Sequence, residues 1–119
     1  MDFSLTQEQI KLREKYQNFA KKEIAPLAFE IDEKAQFSYE LLKKLADLGF
    51  LGLIYPKEYG GQDKTLLDAI IAVEELAKEC PSTTLASGVS STLFAYHIFS
   101  FGTDLQKEKY IPKVINGEI

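Results

Sequence analysis

The chain contains one histidine, His97, and one thiol, Cys80. A Ser-His-Asp triad, a Cys-His dyad or a histidine-rich metal site therefore has almost nothing to be built from. Cys80 precedes Pro81 at a helix end, without the electropositive setting that a reactive thiolate needs, so it reads as buried or inert. His97 reads as a satisfied core or interface side chain. Glu74, Glu75 and Glu79 cluster, but the Glu-x-x-His spacing of di-iron helical bundles does not occur, and a solvated helix face accounts for them. Gly60-Gly61 lacks the G-x-G-x-x-G or Walker spacing that cradles phosphate at a helix N-terminus, and marks a turn. These residues give no catalytic group and no metal site.

The most informative stretch is one without charge. From Thr83 to Phe101 no residue carries a full charge, and only His97 titrates near neutrality. The length approaches that of a membrane span. Thr83, Thr84, Ser87, Ser90, Ser91, Thr92, His97 and Ser100 nevertheless make it too polar for a lipid-facing helix. The expectation is a helix buried on nearly all sides by protein or ligand. Within it, Thr84, Gly88, Ser91 and Ala95 place small side chains on one stripe, and Leu85, Val89, Leu93 and Tyr96 place larger apolar groups on the next. Tight helix packing and the wall of a hydrophobic slot both fit this pattern.

Four further helices position that one. Thr6 with Gln9 forms a capping box for a first helix, whose apolar face runs through Leu12, Tyr16, Phe19, Ala20, Ile24, Leu27 and Ile31. Pro26 predicts an end or kink near Ala25, with the helix resuming to about Glu33. Ser38 caps a second helix through Leu41, Leu45 and Leu48, stopped by Gly49. From Phe50 to Lys64 the period is lost, which predicts an irregular connection with a short extended stretch at Leu51 to Tyr55. Thr65 caps a third helix with Leu66, Ile70, Val73 and Ala77 on its apolar face and Glu74, Glu75, Lys78 and Glu79 on its wet side, closed by Pro81. Ser82 is read as the cap of the uncharged fourth helix. Gly102 ends it, and Thr103 with Gln106 opens a fifth, interrupted near Pro112. The fold class is all-α, a bundle of about five to six helices.

At 119 residues the chain allows one domain, 1–119, which should bury roughly two-thirds of its unfolded surface without disulfides or a structural metal. Eighteen acidic against fourteen basic residues give a net charge of −4, which disfavours nucleic acid. The single cysteine suits a reducing cytosol, and the polar N-terminus Met1-Asp2-Phe3-Ser4 lacks the features of a signal peptide, so a cytoplasmic location is expected.

Four segments in order carry a family resemblance: Phe3-Ser4-Leu5-Thr6-Gln7-Glu8-Gln9, Phe19-Ala20-Lys21-Lys22-Glu23-Ile24-Ala25-Pro26, Pro56-Lys57-Glu58-Tyr59-Gly60-Gly61, and Phe101-Gly102-Thr103 through Gln106-Lys107, Tyr110 and Pro112. Across essentially its whole length the chain resembles the N-terminal helical domain of acyl-CoA dehydrogenases. The resemblance implies a parent enzyme with a middle β-domain and a C-terminal helical domain, neither of them within these 119 residues. It implies FAD as cofactor, acyl-CoA as substrate, electron-transfer flavoprotein as partner and a homotetramer. In the family a glutamate of the later domains removes the α-proton while a hydride passes to the flavin, so no catalytic or flavin-binding residue carries over. What carries over is the far wall of the acyl pocket, which by register from Gly102 falls on Leu85, Ala86, Val89 and Leu93. A histidine common midway along this helix in relatives would fall on Ser90. The alternative function is a stand-alone helical adaptor that docks a partner on the uncharged helix.

Overall fold

The computed structural model describes residues 1–119 and is helical throughout, with no strand. Seven α-helical segments merge into five continuous rods. The first rod is α1 (Gln7–Phe19), a π-helical turn (Ala20–Ile24) and α2 (Ala25–Lys34); the second is α3 (Tyr39–Leu48); the third is α4 (Leu66–Glu79). The fourth joins α5 (Pro81–Gly88), a π-helical stretch (Val89–Ala95) and α6 (Tyr96–Phe101), and α7 (Asp104–Ile115) is the fifth. Together they make a slab of 42 × 41 × 21 Å. Its thin dimension is about two helix diameters.

Local sequence explains most of the boundaries. Thr6, Thr65 and Thr103 each close a reciprocal capping box, with Gln9, Asp68 and Gln106, and Ser38 accepts from the Leu41 N–H. Two boxes are linked, because the Gln9 amide donates to Asp68 at 3.3 Å and so joins the starts of α1 and α4. Gly49 ends α3 at φ 93°.

The prolines behave differently from one another. Before Pro26, the π-helical turn widens the helix, with the Ala25 N–H bonded to Ala20 O, and the chain continues as α2 rather than ending. Pro112 does not interrupt α7, which runs through it; the one backbone bond it forfeits belongs to the carbonyl of exposed Glu108, where water can serve. Pro81 opens α5 instead of closing α4. Cys80, not Ser82, is the N-cap, because the fixed proline φ suits the first helical position and its missing N–H would have no partner there.

The segment from Phe50 to Tyr55 is not extended. It forms a 3₁₀ turn, Phe50–Gly52, followed by further tight turns, because it is buried with no neighbouring strand and its N–H groups must find local carbonyls: Leu53 bonds to Phe50 and Tyr55 to Gly52. Residues 62 to 64 fold back over it, with Gln62, Asp63 and Lys64 donating to the Gly52, Tyr55 and Leu53 carbonyls. A side chain at Gly61 would meet the Tyr55 carbonyl oxygen at 2.0 Å, so only glycine allows this return.

Two apolar clusters result. The larger gathers Tyr16, Ala20, Ile24, Leu41, Leu45, Phe50, Leu51, Ala72 and Leu76 among others, where α1, α3 and α4 meet the 50–53 turn. The smaller packs Tyr55 and Ala95 against Ile111, Val114 and Ile115 of α7. The buried face of α4 is Ile71, Ala72 and Leu76, with Glu75 at only 4% exposure. The expected faces of this helix are therefore corrected: Leu66, Ile70 and Val73 look outward, and Glu75 is buried rather than wet. Apolar residues at helical spacing lie on two adjoining stripes of α4, and periodicity alone does not choose between them. Glu75 is held by Lys78 at 2.7 Å.

Tyr55 and Ser91 tie the two clusters together. The Tyr55 hydroxyl donates to the Ser91 backbone carbonyl, the Ser91 hydroxyl donates to Leu51 O at 2.7 Å, and the Tyr55 ring meets Phe99 edge-on at 5.6 Å. Burial pushes the Tyr55 phenol up to about 12, against the smaller opposing effect of its bond to Ser91. Burial likewise raises Tyr16, whose hydroxyl has no protein partner. A phenol whose folded pKa is raised stabilises the fold fully below its unfolded pKa near 10, and that stability is lost as pH climbs through the folded value. Unfolding measured by urea titration should therefore show falling stability above about pH 10. Tyr55→Phe should cost about 1 kcal/mol at pH 7 and flatten that alkaline decline. An unchanged alkaline slope in Tyr55→Phe would show that the phenol titrates normally in the folded chain.

Candidate functional site

The fourth rod carries no charge, yet it is not buried on nearly all sides as expected. Only Thr83, Thr84, Ser87, Ser91 and Ala95 are buried along it, while Leu85, Val89 and Leu93 are 71%, 45% and 61% exposed. The buried positions from Thr83 to Ala95 recur every fourth residue. A spacing of four drifts around an ordinary α-helix, but the π-helical stretch packs more residues into each turn and keeps the stripe facing inward. The buried hydroxyls are satisfied within the chain: Thr84 donates to Cys80 O at 2.9 Å, Ser87 to Thr83 O at 2.8 Å and Ser91 to Leu51 O.

Opposite the buried stripe runs an apolar groove of about 400 Å³, walled by Val73 and Ala77 of α4 on one side and by Thr84, Leu85, Gly88, Val89, Thr92 and Leu93 on the other. None of its lining side chains titrates. Of the four residues that the resemblance assigns to a pocket wall, Leu85, Val89 and Leu93 share this groove. Ala86 does not: it lines a separate hollow of about 340 Å³ with Ile31, Phe37 and Thr83, around the helix from the other three. Sequence reading missed Val73 and Ala77 as groove residues because it placed their stripe in the core.

The small-residue stripe also divides. Thr84, Ser91 and Ala95 pack inward, but Gly88 does not pack against another helix, since a Cβ built there meets only Thr92 Oγ1 at 3.9 Å. Ser87 takes the inward position that the even spacing had given to Gly88.

The titratable candidates lie away from the groove. His97 is exposed rather than in the core, its Nδ1 2.6 Å from the Leu93 carbonyl one turn back. Cys80 is buried; burial alone would raise its thiol, and its hydrogen bonding with Ser82 and Thr83 outweighs that and lowers it. No group of three or more His, Cys, Asp or Glu side chains is placed to hold a metal ion. No helix is long and apolar enough to cross a membrane.

The molecule is thus an all-helical slab with an uncharged apolar groove along one rod. The family described as "Acyl-CoA dehydrogenase, N-terminal domain" matches residues 6–118, and the chain belongs to it. It is 42% identical over 118 residues to the short-chain specific acyl-CoA dehydrogenase of Clostridium acetobutylicum, covering 99% of this chain and 31% of that protein. It is 37% identical over 116 residues to mitochondrial isovaleryl-CoA dehydrogenase of Bos taurus, covering 96% of this chain and 27% of that one. The solved structure of butyryl-CoA dehydrogenase from Megasphaera elsdenii superposes with a TM-score of 0.90 at 36% identity, over 99% of this chain and 32% of that one. A chain in a structure of the electron transferring flavoprotein of Acidaminococcus fermentans gives 0.92 at 37% identity, over 98% and 31%. The chain thus spans under a third of the length of the curated relatives it matches.

Because Gly88 carries the helix without a packing partner, Gly88→Ala should raise stability by about 0.5 to 1 kcal/mol through helix propensity. The urea midpoint of the purified variant checks this, and a lower midpoint would mean that a close contact forms at this position.

Proposed function

We propose that residues 1–119 form the N-terminal helical domain of a flavin-dependent acyl-CoA dehydrogenase, an oxidoreductase that converts acyl-CoA thioesters to 2,3-enoyl-CoA. The middle β-domain and C-terminal helical domain lie outside these residues. The observation that carries this reading is the uncharged groove, in which Leu85, Val89 and Leu93 offer exposed hydrocarbon along a single helix. A saturated acyl tail is the ligand such a surface suits, since it needs removal from water and no hydrogen bond. The domain then orients the tail and keeps water from it. It contributes no acid or base, because no titratable side chain lines the groove.

FAD enters as the family's cofactor, and the oxidation it supplies belongs to the complete protein. The starts of α1, α3, α4 and α7 do not favour a diphosphate, since each carries an acid in the first turn, at Glu8, Glu40, Asp68 and Asp104. The family resemblance assigns nearly all flavin contacts to the rest of the enzyme. Electron-transfer flavoprotein as electron acceptor is supported by the Acidaminococcus fermentans structure, and a homotetramer by the apolar surface that Leu66, Leu67 and Ile70 leave uncovered in a single copy. A cytoplasmic setting rests on the free thiol of Cys80. The stand-alone adaptor is not favoured, since the family match runs over nearly the whole chain.

Two measurements test the reading. The 119-residue chain purified alone should be colourless and inactive toward acyl-CoA; stoichiometric flavin absorbance retained through gel filtration contradicts the assignment. In the complete enzyme, Val89→Phe should shorten the groove. At about 0.8 kcal/mol for each methylene excluded, the loss of three methylenes moves kcat/KM toward shorter acyl groups by roughly fiftyfold. A length profile identical to that of the unsubstituted enzyme would remove Val89 from the pocket.

A further inference from the structure

Two apolar hollows adjoin on one face of the slab. One is the groove along the fourth rod, and the other, of about 90 Å³, lies between the outward stripe of α4 and the 50–54 turn. Val73, Gly88 and Thr92 belong to both walls, and no residue lining either hollow carries a charge. Leu66, Ile70 and Val73 stand out from α4 on this face, and Leu85, Val89 and Leu93 stand out from the fourth rod. By side-chain size these six expose on the order of 500 Å² of hydrocarbon, as much as the largest apolar patch of a typical monomer, about 300–600 Å². Interfaces between copies of one chain are about 65% apolar, so a centre of this size with its polar rim approaches the roughly 800 Å² per partner that a stable complex buries. The shape is self-complementary too. The outward stripe of α4 is a ridge beside a furrow of about 400 Å³, and a two-fold axis can lay the ridge of each copy along the furrow of the other. The net charge of −4 is carried by side chains outside both hollows, so no like charges meet at the centre of such a contact.

We infer that the 119-residue chain by itself pairs with a second copy through this face, as a two-fold dimer that covers the outward stripe of α4 and the exposed stripe of the fourth rod. The pairing needs only exposed hydrocarbon, matching shape and the absence of charge, and it does not rest on the assignment of the groove to an acyl tail. In the complete enzyme that tail is assigned to the same groove, so the pairing is a property of these residues on their own.

Sedimentation equilibrium of the purified 119-residue chain tests this. At micromolar and higher concentrations the mass should approach twice that of one copy and go no further, because a two-fold contact closes on itself. Ile70→Glu and Leu93→Glu each place an unpaired charge where hydrocarbon would cover it, and each should weaken the pairing about a hundredfold or more. Phe101→Glu is the control: Phe101 is more exposed than either, at 86%, but lines neither hollow, and its replacement should leave the dimer intact. Should a glutamate variant fail to fold, the unsubstituted chain still reports, because the methyl resonances of Ile70, Val89 and Leu93 should shift on dilution while those of Leu41 and Leu45 in the core stay fixed. A chain that is monomeric across the concentration range overturns the pairing and leaves the acyl reading untouched. An open-ended series of larger masses, or dissociation by Phe101→Glu as complete as by Ile70→Glu, also overturns it, since the contact is then not this closed face.

Discussion

Ser91 gives and receives at one buried point. Its backbone oxygen takes the Tyr55 hydroxyl, and its own hydroxyl reaches the Leu51 carbonyl, so two polar groups on the 50–55 turn and two on the fourth rod are satisfied by each other. The turn is too irregular to satisfy every carbonyl locally, and the π-helical stretch departs from the ordinary helical register. An unmade hydrogen bond at this depth costs far more than a made one contributes, so the two irregularities hold each other in place. Tyr55 belongs to the smaller core cluster, and Leu51 to the larger. The exchange therefore also sets the two halves of the slab against one another.

The rotational setting of the fourth rod follows from this point. With Ser91 fixed inward and Thr83, Ser87 and Ala95 in line with it, Leu85, Val89 and Leu93 are turned away from the core. The π-helical stretch lets a four-residue spacing hold its line, where an uninterrupted α-helix would have rotated Val89 and Leu93 by different amounts. Small hydroxyl-bearing side chains serve on the inward side because they can return their hydrogen bonds to the preceding turn, as Thr84 and Ser87 do, and still permit close packing. The groove is thus a by-product of how the helix is anchored on its other face.

Much of this was legible in the residues. Helix starts at Thr6, Ser38, Thr65 and Thr103 and the stop at Gly49 depend on side chains bonding to backbone within a few positions, which spacing records directly. Leu85, Val89 and Leu93 were legible as one stripe. What escaped depends on partners distant in sequence. The choice between the two apolar stripes of α4 is made by α1 and the π-helical turn that follows it, and Glu75 is drawn inside because its helix turns Ile71, Ala72 and Leu76 toward them. The Phe50 to Tyr55 run has the composition of a strand but no strand to pair with, so it turns instead. Ala86 was grouped with the groove by register alone, and a helix whose pitch changes at its middle does not preserve that grouping. For the same reason, the exchange of Gly88 for Ser87 on the inward stripe could not be read from small side chains alone.

A slab two helices thick keeps its hydrophobic core and its groove on opposite faces of the same rod. Ser87 and Ser91 look inward, Val89 and Leu93 outward, and no side chain named here is shared between the core clusters and the groove wall. Apart from Thr84, which is buried and also walls the groove, the residues that line the groove are consequently separate from those that hold the chain folded. On the proposed reading, drift in the groove set would change substrate range at little risk to the fold, and a single scaffold of this kind could serve acyl groups of many shapes while its interior stays the same.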